Sequence, residues 1–473
     1  MILSIGWKNV WRNKTRSLVV IVAIILGIFG GVMVTGIMNG WIAQRVHDCI
    51  YIEVSHSQIH NPQFMLNEEI QHTVLNYEKV IGTLDTMKDV IAYSPRVKLF
   101  AMAQSDWAAS GLVIKGVDPD KEKKVSELYL KMIEGEYLGN KYKIPSIVIG
   151  SKVAESLKLL NYQITTQKLD SIDKAIYPQS VVESLKKIGD KRFRKDKDFK
   201  KALKENLNDN DFEKYSDKLI KYFSFYRMNT SIKITVQGKD GTIQNPVFKV
   251  RGIFKTSNTM FDGINAFVDR EALNQYTGLS NNEVQEIAII SKDNETGITI
   301  SDRLAKYLPE NNVLSWRKLS PEIAMYTDFM WFLSYIYVGI FLFALAFGII
   351  NTMLMSVLER FKELGMLMAI GMNKGKIFTM IMLESIFLSL TGGALGLIIS
   401  GVVTHILGKT GIDFSIWAEG LEAMGYSSII YPEISFDNYV VVTLLVFLTG
   451  MIASIWPARR ALKLNPAEAL RTE

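Results

Sequence analysis

Residues 17–44 read SLVVIVAIILGIFGGVMVTGIMNGWIAQ, and this stretch decides the fold. No charged residue interrupts it. At about 1.5 Å rise per residue, a helix of this length crosses a hydrocarbon core about 30 Å thick. A secretory signal peptide would carry an apolar centre of roughly 7–15 residues and then a small-residue cleavage site. Residues 33–41 contain no A-x-A pattern, so an uncleaved first transmembrane helix is expected over 17–44.

Upstream, residues 1–16 contain Lys8, Arg12, Lys14 and Arg16 and no acid. Leu3, Trp7, Val10 and Trp11 fall on one side at helical spacing and the cations on another. That pattern suits an amphipathic helix lying in the membrane interface. Downstream, three further apolar segments are long enough to span: 328–358, 377–408 and 438–458. The connecting pieces differ in charge. Residues 1–16, 359–375 and the tail 459–473 are rich in Lys and Arg, whereas 409–437 holds one Lys and five acids. By the positive-inside rule both termini are cytoplasmic. The expected fold is an α-helical membrane protein with four transmembrane helices plus a large α+β extracytoplasmic (periplasmic) domain between the first and second.

That domain is expected over 45–325. GLVIKGVDP (111–119), SIKITVQG (231–238) and FKVRGIF (248–254) read as strands, and SKVAESLKL (151–159) and 300–307 as helices. Residues 161–228 turn to Lys and Asp with few apolar positions, which reads as a solvated helical insertion, or a partly disordered one, outside any core. The chain has 473 residues, net charge +6 and one cysteine, Cys49, so no internal disulfide is available. The cations flank apolar blocks without forming one basic face, and no nucleic-acid motif is present, which excludes that class of partner.

The segment SVLERFKELGMLMAIG (356–371) places Val357, Phe361, Leu364 and Met368 on one helical face and Glu359, Arg360, Lys362 and Glu363 on the other. Periodicity alone fits equally a connector resting on headgroups and a docking helix for a cytoplasmic partner. Gly27, Gly31 and Thr35, and Gly392, Gly396 and Ser400, form small-residue ladders, suited either to packing within one subunit or to a subunit interface. His56 and His60, with His47 and His72 nearby, lack the carboxylates or thiols of a zinc set and read as surface histidines. Glu384, at one end of a span, reads as snorkelling to the interface. The triplet GKT (408–410) lacks the glycine a P-loop requires at position 403, where Val403 stands, so ATP must be bound elsewhere. No Ser/His/Asp or Cys/His pairing suggests catalysis, so no enzyme is expected.

The pattern of 356–372 resembles the coupling-helix segment of the MacB/LolC/LolE/FtsX-type ABC permeases. WKNVWRNKTRS (7–17) resembles the interfacial start of that superfamily, and PARRALKLNPAEALRTE (457–473) its ending. VSHSQIHNP (54–62), SPRV (94–97), IKGVDP (114–119) and IVIGSKVAESLKL (147–159) resemble the outer domain of the lipoprotein-releasing LolC/LolE branch. The resemblance implies a permease that extracts lipoproteins from the inner membrane, with FtsX-like regulation of a cell-wall hydrolase or MacB-like export as alternatives. It implies two cytoplasmic ABC ATPase subunits that bind ATP and Mg, a second permease subunit, identical or homologous, and a lipoprotein substrate with a periplasmic carrier. Glu359, Arg360, Glu363, Leu364, Gly365 and Gly371 would contact the ATPase. Val34, Met38, Phe341 and Leu345 would line an acyl-chain cavity. This chain would hold no cofactor or metal of its own.

Overall fold

The computed structural model describes residues 7, 11–12, 14–139, 142–172 and 177–462. Most of the expected interfacial helix 1–16, and the tail from 463 on, lie outside the described residues. The chain divides into two compact units, one of residues 1–46, 322–418 and 427–473, the other of 47–321 and 419–426.

The first unit is helical. Among the described residues four helices are long and apolar enough to cross a membrane, Ser17–Val54, Pro321–Glu359, Lys374–Thr410 and Phe436–Leu462. Each outlasts its apolar stretch. The first α-helix is Lys14–Asp48, beyond the expected 17–44, and continues as a π-helical turn over Cys49–Val54. The others exceed 328–358, 377–408 and 438–458 at both ends. Hydropathy bounds the residues that avoid water, while helical hydrogen bonding runs on through polar flanks.

The glycine ladders work inside this unit. A Cβ on Gly392 would stand 2.9 Å from the Ile24 Cβ, and one on Gly396 3.1 Å from that of Ile28, so the third span lies close along the first. Gly27 and Gly31 of the first span admit Leu345 of the second and Val442 of the fourth in the same way. Without a hydrophobic drive between helices in lipid, such close approach supplies the dispersion contact that holds them. Beyond the third span, Ile412–Asp413 pairs antiparallel with Ile429–Ile430. The following turn is bonded to the first span: Gln44 Nε2 donates to the Ile429 carbonyl (3.2 Å), its Oε1 accepts from Tyr431 N (3.1 Å), and Glu433 N donates to the Gly36 carbonyl (2.9 Å). Gly40 is required there, because a Cβ would come within 2.1 Å of the Tyr431 carbonyl oxygen.

The second unit is α+β. Its main sheet runs Ile243–Gln244, Ser231–Gln237, Val247–Phe254, Ser146–Gly150, Asn265–Asp269, Ala109–Val117, Val90–Gln104, Glu286–Ser291, Ser57–His60, Asn312–Ser315, with Met132–Gly135 added on Val247–Phe254. Ser146–Gly150 with Val247–Phe254, and Ala109–Val117 with Asn265–Asp269, are parallel, and the other pairs antiparallel. Ile114, Ile149, Val153, Ile234, Val250, Val268, Ile287 and Leu304 belong to the core it buries.

The insertion has a core after all. Leu160–Gln163 pairs with Arg192–Phe193 and Ser224–Tyr226, and the helices Gln179–Ile188, Asp196–Asn206 and Asp209–Phe223 contribute Leu185, Phe199, Leu203, Leu219 and Phe223 to one buried cluster. Average composition hid the phase of these residues: few apolar positions suffice when they repeat on one helical face.

Candidate functional site

Between the second and third spans the chain turns through a short helix, Phe361–Ala369, and Gly371, whose positive φ of 95° suits a residue without Cβ. The site is built on an ionic chain. Arg360 Nη1 donates to Glu384 Oε2 (2.9 Å) in the third span, and Arg360 Nε to Glu363 Oε2 (3.1 Å). Glu363 also accepts from Arg12. The bonded Arg12 guanidinium holds the Glu363 carboxyl below the usual carboxylate range.

Glu384 does not snorkel. Its side chain is 2% exposed, and it remains there because a guanidinium, itself 11% exposed, meets it. A carboxylate in so dry a setting persists only when paired and hydrogen-bonded. The sequence signal was an acid inside an apolar span, Glu384, with Arg360 at the N-terminal end of the short helix before it, but no local pattern pairs the two.

The six residues expected at a partner contact therefore separate into two groups. Glu359 and Gly371 are exposed, whereas Arg360, Leu364 and Gly365 are buried against the helical unit and Glu363 is half-buried. The open face consists of Glu359, Lys362, Met366 and Ile370, followed by Lys374 and Lys376, and Ile370 is 79% exposed. Met366, Ile370, Lys374 and Lys376 carry no signal in the periodic pattern, and the charged stripe that includes Lys362 does not by itself tell which of its members turn inward.

Of the four residues expected around an acyl chain, Leu345 is buried where it fills the notch at Gly27, and Phe341 lies against Gly30. Val34 and Met38 are half-buried. An apolar groove of about 600 Å3 lies instead between the third and fourth spans, lined by Leu390, Ala394, Leu397, Tyr439, Val440 and Phe447 among others.

The second unit holds its own ionic centre. Arg96 donates to Glu122 (2.7 and 3.0 Å) and to Glu286 (2.6 Å), all three within buried surroundings. Burial alone would raise the Glu286 carboxyl, but Arg96, followed by Lys115, brings it down to about 2. Lys115 lies over the Phe261 and Phe267 rings, and burial pulls its ammonium down to about 8. Of His47, His56, His60 and His72, two are not on the surface as expected: His56 and His60 are 0% and 2% exposed, whereas His47 is exposed and His72 half-buried. His60 bonds the Gln285 carbonyl and Gln58, and His56 bonds Asn294 and the Ser291 amide, so both serve strand packing.

Residues 335–466 match the family described as FtsX-like permease C-terminal. The chain is 29% identical over 238 residues, 49% of its length and 56% of the relative, to an uncharacterized ABC transporter permease of Methanocaldococcus jannaschii. It is 36% identical over 27% of its length to the macrolide export ATP-binding/permease protein MacB of Chlorobaculum tepidum, of which it covers 17%. The chain thus spans little more than half of the first of these relatives and a small part of the second. The crystal structure of the extracellular domain of the noncanonical ABC-type transporter YknZ from Gram-positive bacteria aligns with 55% of this chain and 98% of its own at 10% identity and a TM-score of 0.29.

Proposed function

We propose, from the match of residues 335–466 to the FtsX-like permease C-terminal family, that this chain is an ABC transporter permease of the MacB/FtsX type and works as the membrane subunit of an ATP-driven machine whose ATPase is a separate protein. The observation that carries this reading is the short helix Phe361–Ala369. It offers an open, mixed apolar and charged face while Arg360 ties its base to the third span. A docking helix needs both: exposed anchors such as Met366 and Ile370 for a partner, and a stiff connection to the element it moves. Glu359 and Gly371 belong to the docking face, and Arg360, Glu363, Leu364 and Gly365 position it.

In this reading both termini are cytoplasmic, the α+β unit lies outside, and two such permease subunits pair. The cargo is a lipid-anchored protein, drawn from the inner membrane without entering the cytoplasm, with Val34, Met38 and Phe341 facing its acyl chains across the subunit pair. Bilayer, ATPase and carrier are the partners this requires, with ATP and Mg on the ATPase. The test is the ATPase rate of the co-purified complex in detergent with and without an acylated lipoprotein. Stimulation by the acylated form and none by the unacylated form is expected. A rate indifferent to both would remove the cargo assignment, and export or regulation of an outer hydrolase would then be the better reading.

A further inference from the structure

The turn between strands Val90–Gln104 and Ala109–Val117 carries Trp107, and two arginines from elsewhere converge on its indole. Arg227 Cζ stands 4.2 Å from the ring centre and Arg194 Cζ 5.5 Å. One comes from the exit of the insertion and the other from the segment joining its strand Arg192–Phe193 to its helix Asp196–Asn206. The indole is set rigidly. Ser105 Oγ accepts from the amides of Trp107 and Ala108 (both 3.1 Å) and donates to the Leu157 carbonyl (2.8 Å). Arg227 is fixed by its own amide, which donates to the Leu159 carbonyl (3.0 Å).

A guanidinium over an indole is favourable by itself, and two on one ring carry a mutual repulsion, modest in water, that a bound anion would relieve. Among the described residues neither makes an ion pair with a carboxylate, and Asp106, next in the turn, is exposed. The surrounding surface adds to the field: residues 186–204 carry ten Lys and Arg against three Asp, and all ten cations are exposed. That segment accumulates anions by long-range attraction, while the arginine pair offers planar, multi-donor geometry that fits tetrahedral oxyanions.

We propose that Arg194, Trp107 and Arg227 form a binding site for a phosphate group, carried by a lipid headgroup or by a soluble phosphorylated molecule. The phosphate oxygens accept from both guanidiniums, and the indole holds the two side chains in register. The site is independent of the ATPase-docking reading, since it belongs wholly to the α+β unit.

The test uses the full-length chain in detergent with glycerol phosphate as soluble probe, and in parallel its binding to vesicles of phosphatidylglycerol and phosphatidylcholine against phosphatidylcholine alone. Arg194→Ala and Arg227→Ala are each expected to lower affinity in the responding arm about tenfold, the effect of losing a charge-assisted hydrogen bond. Arg→Lys at either position keeps charge but loses the fork, and should recover only part of it. Lys200→Ala and Lys201→Ala, elsewhere on the basic segment, should change affinity less than twofold. A response to glycerol phosphate identifies a soluble ligand, and a response confined to phosphatidylglycerol vesicles identifies a headgroup. Binding that falls equally for arginine and lysine variants, or no phosphate-dependent binding in either arm by a chain of unchanged circular dichroism, would overturn the proposal.

Discussion

Arg360 and Glu384 illustrate what a single residue pair contributes. Glu384→Gln removes the buried counter-charge of Arg360 and leaves it only the half-buried Glu363, a loss approaching the cost of about 3–5 kcal/mol that follows removal of one partner of a buried pair. Thermal unfolding in detergent should therefore shift strongly downward for Glu384→Gln, while Lys362→Ala, at an exposed position, should lie within about 0.5 kcal/mol of the parent. The double exchange Arg360→Glu with Glu384→Arg should recover part of the loss, and no recovery would mean that the pair does not act as a pair. A glycine comparison probes the turn on the first span. Gly40→Ala drives a Cβ into the Tyr431 carbonyl, whereas at Gly36 the nearest atom is 3.7 Å away. Cysteine accessibility of residues 429–433 should rise in Gly40→Ala and stay unchanged in Gly36→Ala. The span and its helical state were legible from the lack of charge over 17–44. The partner of Glu384 was not, because a periodic stripe records which residues share a face but not which way that face turns.

Among the elements, the insertion gives the sharpest lesson. Its lysine-rich composition reads as solvated chain, yet Phe199 and Leu203 sit wholly buried on one face of Asp196–Asn206 while Lys200, Lys201 and Lys204 cover the other. Window averages erase that phase. Phe199→Ala should cost about 3–5 kcal/mol within this subdomain by removing a large core side chain. Hydrogen exchange should report it as lost protection across Gln179–Phe223 with the main sheet unaffected. Exchange already complete in the parent over these helices would contradict a packed core. The strands of the main sheet were easier to read, since alternating apolar residues such as those of 231–238 carry their own period. Their order was not legible: it depends on long-range pairing that no local pattern records.

At the scale of the whole molecule, the α+β unit is tied by buried charge as well as by its apolar core. Glu286 ordinarily titrates near 4.5 but is held at about 2 in the fold. A depressed carboxylate stabilises the folded state above its ordinary value, and that contribution disappears as pH falls from 4.5 towards 2. Acid titration followed by near-ultraviolet circular dichroism should show this unit losing tertiary structure in that window, and Glu286→Gln should flatten the dependence. Long apolar stretches made four spans legible in the sequence, and the resemblance over 356–372 pointed to the short helix between the second and third. Which of its residues face a partner required the structure. The most direct measurement is co-purification of a separate ATPase with this chain from native membranes, compared between the parent and Ile370→Asp. The ATPase should accompany the parent and be lost from the variant, with the variant still folded and membrane-inserted. An ATPase retained equally by both, or none with the parent, would contradict docking on this helix.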